Sequence, residues 1–320
     1  MKKIIGIGAI VALSVVAVVY VASASKSSAT GTLDLAARDS VVYVDGSGKV
    51  GQLSRADSSS AVVTDRSCLR VYSAAGTTAC LRSVAVPPSF EAEVLGPDLA
   101  VRRVIKLDGT PSRARVSDSG NLVGWTVFRE GDSYMAPGYF STTAGIFDQR
   151  SGTLYGSMED FTSYVEGVEH QAVDRNFWGV TFADDDRTFY VTLGSGGKTY
   201  LMRGDLADRT LKSVIQNAEC PSLSPDGTRV AYKKRSGETW RLHVLDLASS
   251  KETALAEPAH VDDQAAWLDD STIAYARPVA AGEAPGIFTV PADGSGEPKL
   301  LRANASSPAA VGQSQSQASR

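Results

Sequence analysis

The chain has 320 residues, is 43% hydrophobic, contains 29 glycines and carries a formal charge of −4. That is enough apolar residue for one sizeable core, and the glycine content suits a β-rich domain. No basic stripe runs through it, which excludes nucleic acid as a partner class.

The first residues, Met1-Lys2-Lys3, precede an uncharged stretch from Ile4 to Ala22 and then Ala22-Ser23-Ala24. A positive start, an apolar core and a small-x-small site describe a secretory signal. The apolar run of about 19 residues is also nearly long enough to span a bilayer. Residues 1–24 therefore read as an N-terminal hydrophobic helix, either a cleaved signal peptide or a retained membrane anchor. Both readings put the rest of the chain outside the cytoplasm, because Lys2 and Lys3 stay inside. Contact with a membrane is then expected only through residues 4–22. Residues 25–38 read as a flexible linker.

From residue 39 a repeat begins. SVVYVDGSGKVGQLSR (40–55) and CLRVYSAAGTTACLRSV (68–84) each show an apolar strand, a Gly-containing turn and a second strand. VSDSGNLVGW follows with Ser119-Gly120 in the turn. Asp185 in FADDDRTFYV, Asp226 in LSPDGTRVAY and Asp269 in WLDDSTIAYA occupy the same turn, spaced 41 and 43 residues apart. Such spacing is that of four-stranded propeller blades. The gap of 66 residues from Ser119 to Asp185 predicts an insertion of roughly 25 residues over the usual period. The fold class is all-β, a six-bladed β-propeller over residues 39–312. Blade one lacks an inner strand of its own, and ASSPAAVG (305–312) is expected to return and supply it, since an open ring leaves strand edges exposed. Residues 313–320 are polar and low in complexity, and are expected to be disordered.

Cys68 and Cys80 flank the blade-two hairpin, and an oxidising compartment makes a disulfide between them the expectation. Cys220 is expected to be a buried, inert thiol. No G-x-S-x-G elbow and no P-loop spacing occur. The three histidines fall on different blades, so no metal site is predicted. Asp184-Asp185-Asp186 and Asp269-Asp270 coincide with the repeat's turn, which turn chemistry explains without calcium. No cofactor is expected.

The blade CPSLSPDGTRVAYKKRSGETWRLHVLDLAS (220–249), with its S-P-D-G turn and L-D-L-A ending, resembles the TolB-type β-propeller repeat. The resemblance covers about residues 35–312. FWGVTFADDDRTFYVTL, ECPSLSPDGTRVAYKKR and PADGSG are similar to the actinobacterial TolB-like translocation proteins with a signal peptide. It implies a propeller in the cell envelope. It does not extend to the N-terminal α/β domain of TolB, and so does not imply the TolB role.

If each blade runs from inner to outer strand, the S-P-D-G turns share one face, and the second-to-third turns share the other. The long stretches 129–142, 156–176 and 277–286 belong to that other face, where Tyr134, Tyr139 and Phe140 are candidate contacts. The inner strands begin there, bringing Arg113, Arg115, Asp174, Arg175, Trp178, Glu219 and Asp263 toward the channel mouth. Two readings stand: a funnel that holds a polar ligand, or ion pairs that only close the ring. The functional expectation is a non-catalytic module binding an envelope protein, peptide or glycan. The alternative is a hydrolase or lyase using Asp/Glu and Arg at the channel mouth.

Overall fold

The structure is a computed structural model, and it describes residues 29–84, 89–129 and 141–311. Six sheets radiate from one axis. Blades two to six begin with Arg70–Ala74, Thr110–Val116, Asn176–Phe182, Glu219–Leu223 and Ala266–Asp269, and each runs outward through antiparallel neighbours. In blade one the innermost strand is Ala305–Val311, which pairs antiparallel with Ser40–Asp45 from Val311↔Ser40 to Ala305↔Asp45. The six innermost strands touch one another in a complete ring. The chain is an all-β, six-bladed propeller closed by its C-terminal strand.

Burial follows the layering. Second strands are covered by neighbouring blades on both faces and read as nearly continuous apolar runs, as in Leu122–Arg129, where six consecutive residues are buried. Outermost strands face water, and Val101–Leu107 exposes its first four residues. Among the described residues the core is six clusters, one for each interface between adjacent blades. Val42, Val71 and Leu95 join blades one and two. Leu122, Phe177 and Phe189 join three and four. Val41, Ala274, Ile287 and Ala305 join six and one.

The repeat's turn is built as its chemistry dictates. In blade five Gly227 adopts φ +68°, and its N–H donates to Ser224 O. Asp226 Oδ1 accepts from the Thr228 N–H, the Thr228 hydroxyl and the Ser224 hydroxyl. The turns also tie blades together. Asp186 accepts from Ser119 and Asn121 of blade three, and Asp270 Oδ1 accepts from the Asp226 N–H. Arg55 of blade one bridges Asp39 and Asp269 of blade six. Partial burial works against the Asp226 charge, but the Ser224 and Thr228 donors and Arg229 outweigh it, holding the carboxyl down at about 2. A carboxyl lowered on folding adds stability above its unfolded value of 3.8, and loses that contribution as pH falls toward 2. Asp226→Ala is expected to cost about 1 kcal/mol at neutral pH, after discounting for solvent screening. The same variant should lose its deficit relative to wild type in melts recorded at pH 2. A deficit that persists undiminished at that pH would show that geometry, not charge, is what the turn needs.

Two sequence expectations are corrected by the structure. The stretch 156–176 is not a free crossover loop: Met158 and Phe161 are buried in the interface of blades three and four. Thr162–Val165 then adds to the outer edge of blade four, parallel to Thr210–Gln216, with Val168–Glu169 beyond it. The extra residues are absorbed as two more strands because a covered edge satisfies backbone groups that a loop would leave to water. Second, the end of the stretch read as a linker is packed: Leu33 is buried, and Asp34 exchanges hydrogen bonds with Gln52. Cys68 lies outside the paired strands of the blade-two hairpin. It precedes Arg70–Ala74, while Cys80 pairs with Val71, and the disulfide crosses from the incoming connection to the second strand with Cα atoms 5.5 Å apart. Residues 1–24, the tail 313–320 and Tyr134, Tyr139 and Phe140 lie outside the described residues. Among the described residues no helix is long and apolar enough to cross a membrane.

Candidate functional site at the channel mouth

The inner strands share a device that sets the mouth's geometry. Gly179, Cys220 and Ser307 adopt φ of +71°, +50° and +59°, each at a break in the pairing with the second strand. Each is a β-bulge, which bends a strand and re-aims its side chains. The preceding blade fixes two of these bends: Thr126 Oγ1 accepts from the Gly179 N–H, and Thr192 Oγ1 from the Cys220 N–H. A Cβ on Gly179 would lie 2.7 Å from Cys220 Cα, so glycine permits both the turn and the approach of blades four and five.

Two side chains cross the axis below the mouth. Arg115 of blade three donates to Ala265 O of blade six at 3.0 Å, and its guanidinium lies over the Tyr72 ring. Gln264 of blade six donates to Val180 O and Pro221 O, of blades four and five. The lumen is therefore stapled, and a ligand meets a closed floor.

Above this floor Arg70, Tyr72, Arg113, Arg115, Asp263 and Gln264 line a cleft with Ser307 and Pro308 at its side. Arg113 reaches the Asp262 carboxylate at 3.4 Å, and Lys233 reaches the same carboxylate at 2.5 Å. Asp263 accepts the Ala276 N–H. Arg70 donates to Ser112 O and Leu69 O, and forms no ion pair among the described residues. Burial, followed by the Arg113 charge, lowers its basicity.

Of the residues singled out from sequence, Arg113, Arg115 and Asp263 meet in this cleft. The others do not. Asp174 accepts from the Ser195 hydroxyl and the Gly196 N–H on the blade-four rim, and these bonds hold its carboxyl below the usual range. Arg175 clamps its own loop through Ala172 O. Glu219 is buried and accepts from Trp240 Nε1, while Lys233 and Arg235 flank that indole ring. Trp178 is only 8% exposed and lies where any Cβ on Gly194 would be; it packs a sheet and offers little contact surface.

Arg70 and Gln264 complete the cleft and were not singled out. Counting back from the turn glycine, Arg70 stands six residues before Gly76, level with Ala114 before Gly120 and so between Arg113 and Arg115. The repeat held the signal. Near Asp174, His170 Nε2 meets the Ser195 hydroxyl at 2.9 Å. The serine lies between imidazole and carboxylate and donates to the carboxylate, whereas a histidine that activates a nucleophile itself stands between the two.

No protein-family profile matches the chain, and no curated protein sequence matches it. Its fold is similar to that of TolB from Acinetobacter baumannii, at 17% identity and a TM-score of 0.61, over 85% of this chain and 66% of that one. The chain thus spans just under two thirds of that protein's length. The crystal structure of a nidogen/laminin complex matches at 10% identity and 0.58, over 86% and 99% of the two chains. A puromycin-hydrolyzing peptidase from Mycobacterium tuberculosis matches at 14% and 0.50, over 82% of this chain and 42% of its own. The fold defines a TolB-like six-bladed β-propeller. Its neighbours include a protein seen in complex and a hydrolase, so the fold alone assigns neither activity.

Proposed function

We propose that the chain is an extracytoplasmic, non-catalytic binding module of the cell envelope that takes a protein, peptide or glycan on its channel-mouth face. The observation that carries this reading is the charged cleft above a stapled floor, on the face toward which the longest second-to-third connections run. The strand ends that frame one of them, Arg129 and Ser141, pair directly. Arg277 and Gly286 pair near the corresponding end of blade six. Loops on a rigid frame are where recognition residues collect.

The Lys2-Lys3 start with its apolar run supports the location, and so does the Cys68–Cys80 disulfide, a bond that persists in oxidising compartments. The nidogen/laminin likeness supports protein binding as a use of this fold.

Crosslinking pull-down from intact cells tests the reading. Alanine at Tyr134 and Tyr139 together should reduce partner recovery roughly tenfold, the effect of losing aromatic anchors, with melting unchanged. Asp226→Ala on the opposite face should leave recovery intact. Equal recovery by both variants would refute the assignment of the face. The enzymatic alternative draws support from the peptidase on the same fold. It requires turnover in a small-substrate library that disappears in Asp263→Asn.

A further inference from the structure

Three arginines from two blades, Arg70, Arg113 and Arg115, line a single cleft in which Asp263 supplies the one carboxylate among the described residues. Two of them retain donors: Arg113 Nε and Arg115 Nε are buried and have no hydrogen-bond partner among the described residues. Arg115 is 4% exposed. In the floor Gln264 Oε1 is a buried acceptor, likewise without a partner among the described residues. Buried polar atoms are rarely left so, because each costs about 1–3 kcal/mol when unmet. Here two such donors and one such acceptor belong to residues that line the same cleft.

From these atoms we propose that the cleft is a carboxylate-binding site, taking a carboxylate whose adjoining atoms carry a hydrogen-bond donor. The inference rests on the channel-mouth reading above and narrows it to a chemical class. A planar carboxylate matches the planar, fixed donors of a guanidinium. The adjoining N–H or O–H meets Gln264 Oε1, with Asp263 beside it. Size sets the mode of entry: the cleft holds about 20 Å3 of water-sized room, enough for about one small group. A single acidic tip enters while the rest of the ligand stays on the mouth. Charge sets the valence. Asp263 in the cleft, and Asp262 beside it on Arg113, oppose a second negative charge, which favours a carboxylate over a phosphate dianion. Burial and like charge already disfavour the Arg70 cation, and an anion relieves that repulsion.

Two sources present this chemistry: the C-terminus of a peptide, with its amide N–H, and a uronic acid, with its neighbouring hydroxyl. Isothermal titration of the full chain separates them, with N-acetyl-alanyl-alanine, its C-terminal amide and glucuronate as probes. At least one of the two carboxylates should bind, and the amide should bind at least tenfold more weakly than the acid if the peptide is the source. Binding of glucuronate alone assigns the site to a glycan acid. R70Q and R113Q should each weaken the carboxylate about tenfold, the effect of one charge-assisted hydrogen bond. R102Q, which removes an exposed rim pair with Asp98, should change nothing. R70Q removes no ion pair, so it keeps the test open if R113Q folds poorly. No binding of either carboxylate at 50-fold excess over protein at millimolar concentration, equal binding of acid and amide, or full binding by R70Q would each overturn the proposal. Loss of partner recovery on Tyr134 and Tyr139 replacement, without carboxylate binding, would overturn this inference and leave the binding-face reading standing.

Discussion

Deletion of residues 303–320 is expected to destabilise the whole propeller, not blade one alone. The strand Ala305–Val311 is innermost in blade one, and its removal exposes the ladder edge of Ser40–Asp45 toward the axis. Two interfaces lose apolar contacts at once, since Ala305 belongs to the cluster between blades six and one, and Val311 to that between one and two. Ser307 also donates to Val71 O and accepts the Val71 N–H of blade two. A single buried valine is worth about 1.5–3 kcal/mol, and the lost ladder adds to it. In a domain of this size each kcal/mol moves the melting temperature by roughly 2–4 °C, so a fall of at least about 10 °C is the minimum expected. Truncation after Val311 removes no described residue and is the control. If differential scanning calorimetry gave the same melting temperature for both truncations, the C-terminal strand would not be what closes the ring.

How much of this was legible depends on how local the cause was. The turns at Asp185, Asp226 and Asp269 were readable because Asp, Gly and Ser bond within a few residues of themselves. Their period then gave the blade count, and the missing inner strand of blade one gave the closure. The second role of the turn aspartates was not readable. Asp186 and Asp270 bond to the blade before, and only the ring brings those partners near. The bulges at Gly179 and Cys220 are likewise fixed by Thr126 and Thr192 of the preceding blades. Those bulges decide which inner-strand side chains reach the cleft. That is why Arg113, Arg115 and Asp263 meet there, whereas Glu219 turns under Trp240 and Trp178 fills the sheet beneath Gly194. The parallel strand Thr162–Val165 left no periodic signal, because its partner Thr210–Gln216 lies nearly fifty residues on.

Replacing Cys68 and Cys80 by serine should destabilise the protein by about 3 kcal/mol, the value for closing a loop of this length. The two residues are 12 apart in sequence. The bond stands where the chain passes from blade one to blade two, and both cysteines belong to the cluster that packs those blades. It therefore holds the blade completed by the returning C-terminal strand against its neighbour. Melting should fall by roughly 6–12 °C at 2–4 °C per kcal/mol, with binding at the mouth unchanged. Cys68 and Cys80 are 3% and 0% exposed, so reductant should act slowly on the native protein and rapidly once it is unfolded. Mass spectrometry of unreduced protein should recover one linked peptide pair containing Cys68 and Cys80. Alkylation should label a single thiol, Cys220, only after unfolding, because it is 2% exposed. A link between Cys220 and either partner would break this account: Cys220 stands on the inner strand of blade five, and reaching blade two from there requires a different ring.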